Sequence, residues 1–238
     1  MINSNRVLAI IPARGGSKGL PNKNKIMICG KPLIAWTIEK SMISKYIDDT
    51  LVTSDDQEIL EISAELGVKY LVERPDYLST DVATTSDVVE HAISYMVTTF
   101  KKHYDLIVLL EPTSPLRENE DIDLMLEKLS QNQHYDGIVS LGKIGLENPL
   151  IAKKISSGKV EPLFEVSSKI SRRQDSPDSF FPYGVAYIIK TNIFLTTKSF
   201  YTDNLTYYII NRYQNYEIDD YYDFLCVESI MKHQWNIL

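Results

Sequence analysis

A chain of 238 residues that is 44% hydrophobic and 24% charged is expected to form one large water-soluble domain with room for a small subdomain. Its net charge of −7 argues against a nucleic-acid binder, so an anionic ligand has to be met by a local cluster of cations. Its only cysteines, Cys29 and Cys226, lack CxxC spacing, which excludes a disulfide framework and a zinc site and fits a reducing cytoplasm. The first apolar run falls short of the roughly 7–15 residues of a signal-peptide core. No stretch approaches the ~20 apolar residues of a membrane span.

In chain order, Val7 to Ile11 is an apolar, branched run with the length of a buried strand. Pro12 cannot donate to a central ladder and is expected to end it. Ala13, Arg14, Gly15, Gly16, Ser17, Lys18 and Gly19 follow, with Lys23 and Asn24 just beyond. Glycines let a backbone turn tightly and bring its N–H groups close to a ligand. Glycines set among Arg14, Lys18 and Lys23 therefore point to a polyanion the size of a nucleoside triphosphate. Two well-known phosphate loops are excluded. Lys18 is followed by Gly19, where a Walker A loop needs Ser or Thr, and the glycines read G-G-x-x-G, not G-x-G-x-x-G.

Helical spacing predicts a helix over Leu33 to Ile43, with Pro32 suited to its start. Asp49 to Ser54 reads as a strand. Ser54 to Gln57 reads as a capping box opening a helix, Glu58 to Leu66, that stops at Gly67. Val68 to Val72 is a further strand. This alternation predicts a parallel sheet with right-handed crossovers. Thr84, Thr85 and Ser86 lead into a helix from Asp87 to about Phe100, and N-capping alone would account for them. Tyr104 to Leu110 is a second strongly apolar strand. It ends in Glu111-Pro112-Thr113-Ser114-Pro115-Leu116-Arg117, a rigid loop at the carboxyl end of a central strand, where ligands gather in open α/β sheets. A helix, Asp121 to Leu129, and a strand, Gly137 to Leu141, follow.

The rhythm changes between residues 143 and 182. A β-hairpin turning at Ser157-Gly158 and a charged loop, Ser171 to Asp175, mark an excursion from the sheet suited to a lid or a dimer contact. Gly184 to Ile189 returns to an apolar strand, and Tyr207 to Ile210 reads as a last or edge strand. Glu217-Ile218-Asp219-Asp220 then opens a final helix, Tyr221 to Lys232. Residues two apart in an extended segment share a face, so Glu217 and Asp219 can reach one ion; helix capping would also account for Asp219 and Asp220. The histidines His91, His103, His134 and His233 sit in no motif, and no general base stands out.

Several of these stretches together resemble the acylneuraminate cytidylyltransferases, the CMP-sialic acid and CMP-nonulosonate synthetases. Pro12 to Gly19 with Lys23-Asn24 is similar to that family's opening signature, and Leu109 to Arg117 to its L-L-Q-P-T-S-P-L-R. Arg74-Pro75 with Asp81 to Thr85, Arg172-Arg173-Gln174, Gly184 to Tyr187, and Glu217 to Asp219 match further motifs in the same order. The resemblance implies an α/β, Rossmann-like nucleotidyltransferase fold with a mainly parallel central sheet flanked by helices and a small β-rich excursion. One domain would span residues 1–238, with 143–182 as lid or dimerisation excursion.

It also implies a reaction: CTP and a nonulosonic acid give the CMP-sugar and pyrophosphate, with Mg²⁺. By resemblance, Arg14, Lys18 and Lys23 would act on the triphosphate, within a nucleotide site of Ala13 to Lys18, Lys23, Asn24, Arg74, Thr84 and Thr85. Glu217 and Asp219 would hold the metal, Asp219 counting also as catalytic. Glu111, Arg173, Gln174, Phe181 and Tyr183 would face the acceptor sugar. The expected partners are CTP, the sugar acid and a second copy of the chain, with no nucleic acid or membrane. Glu111 stands where the family usually has Gln, Phe181 and Tyr183 where Arg and Asn are common, and Glu217 where it has Asp. Two alternatives stay open: a cytidylyltransferase for another 2-keto-3-deoxy sugar acid, or a non-catalytic nucleotide-binding homologue.

Overall fold

The computed structural model describes residues 1–80, 82–145, 148–164 and 177–236. Its centre is a seven-stranded sheet of β1 (Val7–Pro12), β4 (Asp49–Ser54), β5 (Tyr70–Glu73), β6 (Leu106–Leu109), β7 (Gly137–Lys143), β10 (Phe180–Lys190) and β11 (Leu205–Ile209), in the order β11-β7-β10-β6-β1-β4-β5. β1 pairs in parallel with β4 and β6, β4 with β5, and β7 with β11, while β10 runs antiparallel between β6 and β7. The predicted mainly parallel sheet is therefore present, with one reversed strand.

Both faces of β1 are buried, because Val7, Leu8, Ala9, Ile10 and Ile11 are fully shielded. Val7, Ala9 and Ile11 join the core on one face, with α1 (Leu33–Ile43), α2 (Gln57–Glu65) and α4 (Asp121–Gln131). Leu8 and Ile10 join the core on the other, with α3 (Thr85–Phe100) and α5 (Thr191–Thr197). A third cluster packs α6 (Tyr221–Trp235) against α1, where the Trp36 and Trp235 rings stack at 5.0 Å.

Several boundaries differ from the sequence expectation. β1 runs through Pro12, which stays in register with Thr53. Pairing with β6 has already ended at Ile10, so the missing N–H faces no ladder partner. α2 is capped by Asp56, whose carboxylate accepts from the Glu58 and Ile59 amides, and not by Ser54. α3 begins at Thr85 because Thr84 and Asp87 form a reciprocal capping box. α5 and the small hairpin of β2 (Met27–Ile28) and β3 (Lys31–Pro32) have sequences too short to show a period.

Within the 143–182 segment, β8 (Lys153–Ser156) and β9 (Lys159–Pro162) form the predicted hairpin, turning through Ser157 and Gly158 at φ 50° and 76°. β10 is longer than predicted and carries a register shift between Pro182 and Tyr187. Among the described residues no helix is long and apolar enough to cross a membrane.

Candidate functional site

Parallel strands deliver their carboxyl ends to one edge of the sheet, and the loops leaving β1, β4, β5 and β6 meet there. Those after β1, β5 and β6 line a cleft of about 540 Å³. The loop after β1 supplies Arg14, Ser17, Lys18, Gly19, Lys23 and Asn24. Arg74, Thr84 and Thr85 form a second wall, and Glu111, Thr113 and Asp219 the third. Residues scattered from position 14 to position 219 thus line one space of the size that ligand sites occupy.

The opening loop is held by specific contacts. Buried Asn24 donates from Nδ2 to the Arg14 carbonyl at 2.9 Å. The Gly15 amide donates to Asp55 Oδ1 at 2.9 Å, so this N–H is occupied within the protein. Gly19 passes against the chain before α6, where an added Cβ would stand 2.3 Å from the Asp219 carbonyl oxygen. Lys23 Nζ donates to Asp219 Oδ1 at 2.9 Å, closing the same seam from the side-chain side. Ala13 is fully buried and its amide donates to the Thr53 carbonyl, so its methyl group belongs to the core. Gly16 has open space about its Cβ position.

Arg74 is 6% exposed and donates from Nη2 to the Thr53 carbonyl at 2.9 Å. Burial pushes its guanidinium below the ordinary arginine range, with Asp55 opposing that shift. Its Nε has no hydrogen-bond partner among the described residues.

The opposite wall carries the carboxylates. A Cβ on Gly184 would lie 2.7 Å from Glu111 Oε2, 2.7 Å from Ser114 Oγ and 2.9 Å from Glu217 Oε1. Glu111 and Glu217 therefore converge on one point of β10 that only glycine leaves clear. Ser114 Oγ donates to Glu217 Oε1 at 2.5 Å, and the Gly184 amide donates to the same oxygen. The Ile218 amide donates to the Thr113 carbonyl at 2.9 Å, tying the two carboxylate-bearing segments together. Burial pushes the Glu111 carboxyl up to about 7, with the negative charge of Glu217 adding to the shift and Arg117 opposing it. Burial also raises Glu217, against its bonds from Ser114 and Gly184.

Of the expected acceptor residues, Arg173 and Gln174 lie outside the described residues. Phe181 and Tyr183 stand on β10 with their rings edge to face at 5.1 Å, and neither lines the cleft. Glu217 meets Glu111 beside Gly184 without lining the cleft, while Asp219 lines it with an exposed carboxylate. Among the described residues no three or more His, Cys, Asp or Glu side chains are grouped to hold a metal.

Sequence reasoning assigned no role to Arg117, Ser114 or Ser140, which organise this wall. It also passed over Tyr187 and Tyr201, whose rings lie 6.1 Å apart and whose hydroxyls burial raises, with the charge of Glu111 contributing to both. A polar side chain that is buried carries no mark in the sequence. The Pro-Thr-Ser-Pro bracket was the one available signal, and it pointed to the loop without naming the residue inside it.

Fold and cleft together define an α/β protein with a cation-lined cleft at the carboxyl edge of its sheet. The chain belongs to the cytidylyltransferase family, whose model matches residues 8–219. It is 32% identical over 220 residues to the N-acylneuraminate cytidylyltransferase of Escherichia coli, covering 92% of this chain and 50% of that protein. It is 30% identical over 232 residues to the CMP-N,N'-diacetyllegionaminic acid synthase of Legionella pneumophila, covering 95% and 97% of the two chains. The chain thus spans about half the length of the first relative and nearly all of the second. The solved structure of CMP:2-keto-3-deoxy-manno-octonic acid synthetase complexed with CTP superposes with a TM-score of 0.68 over 96% of this chain and 99% of its own, at 15% identity. That likeness speaks for the fold.

Proposed function

We propose that this chain transfers a cytidylyl group from CTP to a nonulosonic, sialic-acid-like sugar acid, releasing pyrophosphate. The observation that carries the reading is the pairing of walls in one cleft. A cationic glycine loop with buried Arg74 faces carboxylates from Glu111 and Asp219. The names of the relatives, an N-acylneuraminate cytidylyltransferase and a diacetyllegionaminic acid synthase, supply the substrate class.

In this reading an acceptor hydroxyl attacks the α-phosphorus in line and pyrophosphate leaves. Such a transfer needs little covalent help from the protein; it needs positioning and fixed positive potential. Arg14, Lys18 and Lys23 face the phosphates. Thr84 and Thr85, with Arg74, form the wall for the cytidine, and Asn24 holds the loop's shape through the Arg14 carbonyl. Glu111 on the cleft wall faces the acceptor, and by the family resemblance Phe181, Tyr183, Arg173 and Gln174 would contribute to binding it.

Mg²⁺ typically takes one or two carboxylates and completes its shell with phosphate oxygens and water. Asp219, exposed at the mouth beside Lys23, fits that demand, with Glu217 as the inner carboxylate. Bound there, the ion would offset triphosphate charge. Exposed Ile155 and Val160, opposite each other on the β8–β9 hairpin, support a homodimer formed through the 143–182 excursion. Free Cys29 and Cys226 fit a cytoplasmic location.

The test is pyrophosphate release from each nucleoside triphosphate, with Mg²⁺ and a panel of 2-keto-3-deoxy sugar acids. Release from CTP alone, with a nine-carbon acid alone, is the expected result. Release with a shorter acid would give the same chemistry a different acceptor, and the unusual Glu111, Phe181 and Tyr183 on the acceptor side make that the second reading. CTP binding without release from any acceptor would mark a non-catalytic homologue.

A further inference from the structure

Strand β10 leaves the ladder between Pro182 and Tyr187, beside the carboxylates. A bulge strands backbone polar groups that the ladder would otherwise satisfy, and buried groups of that kind need other partners. Here side chains provide them. Ser140 Oγ donates within reach of the Tyr183 carbonyl at 2.5 Å and the Ala186 carbonyl at 2.9 Å, and accepts from the Ala186 amide at 3.1 Å. Arg117 donates from Nη2 to the Gly184 carbonyl at 2.9 Å and from Nε to the Val185 carbonyl. The Gly184 amide donates to Glu217. Arg117 thus serves the Gly184 and Val185 carbonyls, and the one hydroxyl proton of Ser140 serves the Tyr183 or the Ala186 carbonyl.

Arg117 is fully buried and also reaches beyond the bulge. Nη2 donates to the carbonyl of Glu111 at 3.3 Å, and Nη1 to Thr37 Oγ1 on α1 at 3.2 Å. One planar fork therefore binds the main chain of Glu111 and the bend whose amide holds Glu217. An apolar residue of similar volume would leave those carbonyls without donors in the interior, and lysine lacks the fork to serve them together. A fully buried guanidinium is costly to desolvate, and the carboxylates of Glu111, Glu217 and Asp121 stand close enough to offset part of that cost.

We infer that Arg117 is a positioning residue: by clamping the β10 bulge to the Glu111 main chain it sets the spacing of Glu111 and Glu217 across the acceptor side of the cleft. The hydrogen bonds of Arg117 run to Thr37, Glu111, Gly184 and Val185, none of which belongs to the nucleotide wall at Arg14 to Asn24 and Arg74, so the two halves of the site can be perturbed separately. The inference rests on the cytidylyl-transfer reading for its kinetic readout, and has a second readout that does not.

Arg117→Lys and Ser140→Ala, which loosen the same bulge from opposite sides, test it. For each folded variant, kcat over acceptor KM should fall by about tenfold or more, while the CTP dissociation constant from calorimetry stays within about threefold of wild type. Amide hydrogen exchange at Gly184 and Val185 should be slow in the wild-type protein and accelerate by about tenfold in either variant. Unchanged acceptor kinetics in a folded variant, or CTP affinity lost in step with acceptor kinetics, would overturn the positioning role. Should Arg117→Lys fail to fold, Ser140→Ala decides. Should the wild-type protein turn over no acceptor, the functional reading fails by itself, and exchange still decides: fast exchange of the wild-type Gly184 amide, or no acceleration in a folded variant, rejects the clamp.

Discussion

Lys23 Nζ donates to Asp219 Oδ1 at 2.9 Å, joining the opening loop to a carboxylate 196 positions later in the chain. Asp219 is 81% exposed, so the pair adds little to stability. Its value lies in placing one cation and one carboxylate at the same mouth of the cleft. Lys23→Met should therefore change the unfolding free energy by less than about 1 kcal/mol. It should lower kcat by on the order of 10²-fold, because a fixed positive charge is lost where phosphate charge would move in the proposed transfer. Chemical denaturation beside steady-state kinetics checks both; a large stability loss with normal turnover would contradict this reading.

Gly19 lies against the Asp219 carbonyl, with 2.3 Å available where a Cβ would stand. Backbone cannot move aside as a flexible side chain would. Gly19→Ala should force the loop from the segment before α6, costing about 1–3 kcal/mol and weakening CTP binding. Gly16→Ala, with no protein atom within 4 Å of its Cβ, is the matched control for stability and should unfold like wild type. Chemical denaturation of the two variants separates them, and calorimetric titration reads the loss of CTP binding in Gly19→Ala.

Glu111 gives the protein a pH dependence with a definite sign. Its carboxyl titrates at about 7 in the fold, against 4.5 when unperturbed, so the native state binds its proton more tightly than the unfolded chain. Stability is then highest below the unperturbed value and falls as pH rises toward 7. Glu111→Gln removes the ionisable group and with it this loss. The variant should be more stable than wild type by on the order of 1–3 kcal/mol at pH 8, and the two should converge near pH 4. Denaturant titrations across that range check it; a constant offset at every pH would refute the assignment.

The hairpin predicts its own partner. Ile155 is 83% exposed and Val160 71%, and the two face each other across β8 and β9. Ile155→Asp should convert the proposed dimer to a monomer in light scattering at micromolar concentration. A monomeric wild-type protein would remove the proposal.

Much of this architecture is legible in the linear order of residues, because strands and helices advertise themselves by period and by end signals. Leu33–Ile43 and Asp49–Ser54 match the sequence expectation residue for residue, since helical spacing and flanking turn residues are local properties. The cationic glycine loop is equally local: it follows a buried strand, and its contacts with Asn24 and Asp55 keep it there. The acidic wall is another matter. Nothing in the sequence says that Glu111 and Glu217 share one point beside Gly184, or that Arg117 is fully buried beneath them. Those facts depend on an antiparallel β10 entering a parallel sheet and on a bulge in it, which are choices of long-range pairing. Sequence alone determined which end of the sheet would carry the cationic loop; tertiary structure decided which carboxylates would stand opposite it, because burial and register set their spacing and their charge.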